Sequence, residues 1–224
     1  MTDSVLFIAF PYVAVVVAVA GGVYRYFADR FSYSSMSSQF LENRMLFWGS
    51  VPFHYGIVII LLGHIMGGLF PYYSNFLIVN VFHMYTLELG GIALGLLTNF
   101  GVILLIIRRL VYPKLVPETT LMDWVILLVL LAQVLSGSYI AHFYRWGAVW
   151  YPYSPVPWLK SLAHLDPQID FITPLPWIIR FHALNAFVIV GLIPFTRLVH
   201  IFTAPVTYIW RPLQVVIWNK KAAR

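Results

Sequence analysis

The chain has 224 residues, 61% of them hydrophobic and only 10% charged, with a formal net charge of +6. A soluble domain averages about 25% charged residues, so this composition belongs in a membrane. There is no cysteine, which excludes disulfides, thiolate-ligated iron–sulfur clusters and covalent haem attachment through C-x-x-C-H within the chain.

Residues 1–4 carry Asp3 and no basic side chain. That is the reverse of a cleavable signal's positive start, so the first apolar stretch is expected to remain as a helix. A transmembrane helix needs about 20 mostly apolar residues. Five stretches qualify, at about 5–27, 50–70, 78–107, 121–143 and 177–203. The expected fold is all-α: one integral membrane bundle of five transmembrane helices, forming a single domain over residues 1–224. The third stretch is long enough to tilt or to extend beyond the bilayer. Pro11, Pro52 and Pro194 lie in or near spans, where neighbouring groups can satisfy the freed backbone.

Segment 25–45 holds Arg25, Arg30 and Arg44, and segment 108–120 holds Arg108, Arg109 and Lys114. The end of the chain holds Arg197, Arg211, Lys220, Lys221 and Arg224. Five spans put these three regions on one side, with eleven of the fourteen basic residues, against Arg145, Lys160 and Arg180 on the other. The bias places the N-terminus outside and the C-terminus in the cytoplasm. It reads as a topology signal in a multi-pass protein of the cytoplasmic membrane, not as a nucleic-acid surface. The connection 144–176 is rich in Trp, Tyr and Pro and suits the headgroup region. Residues 157–165 are expected to form a short amphipathic helix lying on the surface. The basic, aromatic tail from Tyr208 to Arg224 is expected to rest on the cytoplasmic face or on a partner.

Four histidines stand inside apolar stretches: His54 and His64 in the second, His182 and His200 in the fifth. An imidazole is poorly solvated by hydrocarbon and is a functional candidate there. Two pairs on two helices point to two haems, each held between two imidazoles. The topology makes His54 and His200 the inner pair, and His64 and His182 the outer pair. The spacings are unequal. Ten residues rise about 15 Å and eighteen rise about 27 Å, so tilt must absorb the difference. Eighteen residues is a whole number of turns, which puts His182 and His200 on one helix face. Gly56, Gly63, Gly67 and Gly68 are small enough to admit a flat ring beside the backbone, though helix contacts use glycines equally. Arg180 and Arg197 are placed to meet haem propionates, with interfacial anchoring as the alternative. For the histidines the alternatives are packing, hydrogen bonding, or proton relay in a non-redox membrane protein. His83 opens the third span, His142 closes the fourth as a rival outer ligand, and His164 lies in the outer loop. Glu88 inside the third span needs a partner, a proton or a relay role. Asp123 sits where a helix N-terminus favours an acid.

The stretches FPYVAVV, SSQFL, FHYGIVIILLGHIMG, IIRRL and RFHALNAFVIVGLIPFTRLVHIFTAPV resemble the gamma subunit of respiratory nitrate reductase, a membrane dihaem cytochrome b. The last joins Arg180, His182, Pro194, Arg197, His200 and Pro205 in the family's order. The middle of spans three and four and the outer loop match loosely. The resemblance implies two haem b groups, with iron ligands His54 and His200 for the inner and His64 and His182 for the outer. It implies oxidation of a quinol, menaquinol or ubiquinol, near the outer haem. It also implies electron delivery to an iron–sulfur beta subunit and a molybdenum-containing alpha subunit on the cytoplasmic side. A haem-bearing anchor of a related molybdenum oxidoreductase fits the same motifs. A quinol headgroup needs a hydrogen-bond partner and a proton acceptor, and His83 is the residue expected to supply both.

Overall fold

A computed structural model describes residues 2–33, 38–70 and 79–203. The described residues form helices and connecting turns, with no strand among them. Five helices are long and apolar enough to cross a membrane: α1 (Thr2–Ala28), α2 (Arg44–Leu69), α3 (Val81–Val111), α4 (Leu121–Phe143) and, after the short α5 (Pro155–Ala163), α6 (Trp177–Leu192). Most side chains in their apolar windows point away from the protein, the pattern of surfaces meant for hydrocarbon. The helices pack in series, α2 on α3, α3 on α4, α4 on α6 and α6 on α1. Helices α2 and α6, which carry three of the four intramembrane histidines and lead to the fourth, have no extensive contact with each other among the described residues.

The α2–α3 crossing is close because it is built on glycine. A Cβ at Gly101 would stand 2.6 Å from the Phe53 nitrogen and 2.7 Å from the Gly49 oxygen, and one at Gly56 would collide with Thr98. Gly56 therefore serves helix contact. Gly63, in contrast, has nothing within 4 Å of its Cβ direction.

Pro11 shapes α1. It cannot donate to the carbonyl of Phe7, four residues back. The chain winds as a π-turn over Val5–Ala9, and the indole N–H of Trp158 donates to the Phe7 carbonyl at 3.1 Å. Tyr12 Oη donates to the Leu162 carbonyl at 2.9 Å. These bonds pin α5 to α1, and Trp158 packs on Phe7 and Phe187. The expected surface helix is present, but its apolar face is buried on the protein.

The expected fifth span, 177–203, is interrupted. Helix α6 ends at Leu192, a 3-10 turn covers Ile193–Phe195, Thr196 is extended, and Arg197–Thr203 is 3-10. Pro194 brings no N–H, and Thr196 Oγ1 donates to the Leu192 carbonyl at 3.0 Å. Arg25 Nη1 donates to the carbonyls of Pro194 at 2.6 Å and Thr196 at 2.9 Å, holding the break. His182 and His200 thus lie on either side of a break, and the whole-turn argument for one shared helix face does not apply.

The three basic regions do converge at one end, where arginines tie helix ends together. Arg108, fully buried, pairs with Glu42 at 2.7 Å and donates to Ser38 Oγ and the Ser38 and Glu42 carbonyls. Arg197 meets Asp123 through Nε at 2.7 Å and Nη2 at 3.0 Å. Asp123 also closes a capping box with Thr120 at the start of α4, as its position suggested. The tail residues Arg211, Lys220, Lys221 and Arg224 lie outside the described residues.

Burial pushes the Glu42 carboxyl upward, but amide bonds from Met45 and Leu46 and the Arg108 pair outweigh it and hold the group below the usual carboxylate range. A carboxyl lowered in the folded state stabilises fully above its unfolded pKa of about 4.3 and loses that contribution as pH falls through the folded value. Melting of the detergent-purified protein should therefore change little from neutrality down to about pH 5 at this contact, and fall below about pH 4. Arg108→Ala should cost on the order of 3 kcal/mol at pH 7, because it strands a buried carboxylate. A much smaller loss for Arg108→Ala in the Glu42→Ala background, in a double-mutant comparison, would identify the pair as the source.

Candidate functional site: two histidine pairs between α2 and the α6 segment

His54 on α2 and His200 beyond the break of α6 face one another, with ring centroids 6.0 Å apart and planes at 66°. His54 Nδ1 lies 2.7 Å from the Ser50 carbonyl, and His200 Nδ1 lies 2.6 Å from the Arg197 carbonyl. A carbonyl can only accept, so each Nδ1 carries the proton and each Nε2 keeps a lone pair. That is the arrangement in which backbone carbonyls orient metal-ligating imidazoles. Metal–nitrogen bonds are about 2 Å long, so two imidazoles at this separation could hold a metal ion between them.

The other two intramembrane histidines are His64 on α2 and His182 on α6. His64 Nδ1 lies 2.8 Å from the Ile60 carbonyl, the same pattern. Tyr151 from the loop stands edge-on to the His64 ring, centroids 5.4 Å apart, and its hydroxyl donates to the His64 carbonyl at 3.3 Å. Burial pushes the Tyr151 phenol up, so it stays a neutral donor. His182 is held differently, by side chains of α4. Its Nδ1 is 2.9 Å from Ser136 Oγ, and its Nε2 is 3.2 Å from Gln133 Nε2. Asn185, one turn along, donates to Gln133 Oε1 at 2.8 Å. Gly137 leaves room for the ring, since a Cβ there would stand 3.0 Å from His182 Cε1.

The residues Gln133, Ser136 and Asn185 were not singled out from sequence. The signal was available: polar side chains in an apolar helix at spacing three share a face, and hydrocarbon makes each one a candidate. Among the described residues no three or more histidine or acidic side chains gather as a metal cluster. His54 and His200 meet as a pair, which suits a metal whose other ligands come from a macrocycle.

Asn99 Oδ1 aside, the buried side-chain atoms without a hydrogen-bond partner among the described residues are His83 Nδ1 and Arg180 Nε. An unsatisfied buried polar group costs about 1–3 kcal/mol, so these positions favour a ligand that supplies the missing partner. Both residues lie near the N-terminal ends of their helices, α3 and α6, away from the arginine-tied end. Arg197 is engaged by Asp123 and by the Glu118 carbonyl at 2.6 Å. Glu88 is paired, with Arg145 at 3.4 Å and with the Trp146 N–H at 3.0 Å. His142 is exposed and packs on Phe143, and His164 is exposed with Nδ1 on the Lys160 carbonyl.

Five membrane-length helices with paired histidines inside them define a multi-pass integral membrane protein. The family model of the nitrate reductase gamma subunit matches residues 3–219, and the chain belongs to that family. It is 30% identical to the nitrate reductase gamma chain of Bacillus subtilis (strain 168), over 99% of this chain and 100% of that one. It is 32% identical to the respiratory nitrate reductase 2 gamma chain of Escherichia coli (strain K12), over 92% and 93%. A nitrate reductase-like protein of Mycobacterium tuberculosis (strain ATCC 25618 / H37Rv) is 33% identical over 95% of this chain, which spans 33% of that longer relative. The chain is thus a membrane subunit of a nitrate reductase complex, resident in the inner membrane.

Proposed function

We propose that this subunit is a dihaem cytochrome b that oxidises quinol near the outer face and delivers the electrons to an iron–sulfur beta subunit, which serves a molybdenum-containing alpha subunit. The observation that carries the reading is the His54–His200 pair: two rings 6.0 Å apart, each with Nδ1 tied to a carbonyl and with no hydrogen bond at Nε2 among the described residues. The residues fit haem b: His54 and His200 would hold the inner iron, and His64 and His182 the outer. The unpartnered Arg180 Nε suits a propionate, since guanidinium and carboxylate bond strongly. Arg197 supports the inner site by presenting its carbonyl to His200 while Asp123 fixes its guanidinium. Bound haem supplies reversible one-electron iron chemistry at two depths.

Quinol oxidation releases two electrons and two protons. His83 Nδ1 is buried with no hydrogen-bond partner among the described residues, which suits it to hydrogen-bond the quinol hydroxyl and to help take its proton. The excess of Lys and Arg at the end opposite His83 supports a cytoplasmic location for that end and, with it, for the beta subunit.

His54→Ala and His200→Ala should remove or convert one haem band, and His64→Ala and His182→Ala the other, in redox-difference spectra. Loss of the same band in His54→Ala and His64→Ala breaks the pairing. A cytoplasmic reporter fused after Arg224 should be active and a periplasmic one silent. The opposite result reverses the topology. His83→Leu should retain both haems yet slow their reduction by quinol by about 100-fold, with dithionite reduction unchanged. Parent-like quinol kinetics in that variant would remove His83 from the site.

A further inference from the structure

Three of the four paired histidines use a carbonyl of their own helical segment to set the tautomer: Ser50, Ile60 and Arg197. His182 alone relies on another helix. Its network has one consistent direction. Asn185 Nδ2 donates to the Val129 carbonyl at 3.0 Å and to Gln133 Oε1 at 2.8 Å. The Gln133 amide nitrogen is thereby turned toward His182 Nε2, which must accept. Ser136 Oγ donates its proton to the Gln133 carbonyl at 2.9 Å, so its lone pair receives the proton on His182 Nδ1, 2.9 Å away. Reversing the Gln133 amide would set donor against donor at Asn185 and leave the chain unsatisfied.

We propose that Ser136 and Gln133 are positioning residues for the outer haem: Ser136 holds the Nδ1–H tautomer of His182, and Gln133 holds its Nε2 edge until iron takes that nitrogen. The inference rests on the reading of His182 as an axial ligand. It separates the two sites. The inner imidazoles keep Nε2 free of hydrogen bonds among the described residues, whereas the outer ligand must release an amide to bind. It also assigns a tuning role to one hydroxyl. A hydrogen bond from the distal nitrogen raises ligand basicity, and a more basic ligand favours ferric over ferrous iron. Removing the acceptor should raise the potential of the outer haem alone.

The test uses the intact complex carrying Ser136→Ala, Ser136→Thr, Gln133→Leu or His182→Ala, read by haem content, redox titration and the low-spin ferric electron paramagnetic resonance signals. Ser136→Ala should shift the outer midpoint upward and move its resonance, leaving the inner haem unchanged, and Ser136→Thr should restore both. If Ser136→Ala instead sheds the outer haem, restoration by Ser136→Thr supports the role and failure to restore overturns it. Unchanged outer potential and resonance in Ser136→Ala, or equal shifts in both haems, overturns it as well. Gln133→Leu should lower the occupancy of the outer haem while the haem that does bind keeps its parent midpoint; full occupancy overturns the assignment of Gln133. His182→Ala separates the two levels. A retained outer haem there removes the ligand reading and this inference together, whereas its loss beside an unmoved Ser136→Ala removes only this inference.

Discussion

Hydrocarbon offers no hydrogen bonds, so every polar atom within this bundle must find its partner in the protein or in something the protein holds. That constraint organises the structure. Pro11 frees a carbonyl, and Trp158 reaches across from another helix to take it. The break at Pro194 exposes two carbonyls, and a single guanidinium from α1 takes both. The same demand ties imidazole Nδ1 atoms to carbonyls and so leaves Nε2 atoms with lone pairs. Backbone satisfaction and the choice of imidazole tautomer are one operation here. The helix that orients the histidine also fixes which nitrogen can bind a metal.

The two ends of the bundle solve this problem differently. At the basic end Arg25, Arg108 and Arg197 each span separate segments, with Glu42 and Asp123 as buried partners. At the other end, the loop helix α5 and Tyr151 close over α1 and α2, while His83 Nδ1 and Arg180 Nε find no partner among the described residues. A tied end suits a fixed surface for assembly. An end with unmet polar groups suits exchange of a ligand that meets them when it arrives and leaves them when it departs.

The spans were legible because few soluble helices need an apolar run of about twenty residues, whereas a bilayer demands one. Four of the five expected stretches overlap the observed helices closely, and the fifth fails at Pro194 and Thr196. A hydropathy profile does not see that a threonine hydroxyl and a remote arginine together stabilise a broken helix. Arg25 and Arg108 were legible as charge, and their carbonyl and carboxylate partners were not, because those lie up to 171 residues away in sequence. Gly56 was expected beside a ring and lies instead at a helix crossing. Composition cannot separate those roles, since both require the absence of a side chain. Gln133, Ser136 and Asn185 carry a visible polarity signal, but only the fold shows that they converge on His182.

The break also answers a geometric difficulty in the histidine spacing. Ten residues on one α-helix and eighteen on another differ in rise by about 12 Å, which tilt alone absorbs poorly. The chain relieves the mismatch by ending α6 ten residues after His182 and changing course at Thr196, whose backbone is extended. The following 3-10 segment then presents His200 to His54 at 6.0 Å. Arg25, which holds the break, and Arg197, whose carbonyl orients His200, are therefore part of how the His54–His200 pair is made. Their hydrogen bonds fix where His200 stands along the bundle. One chain of cause runs from a proline that cannot donate, through two arginines, to the separation of two imidazoles.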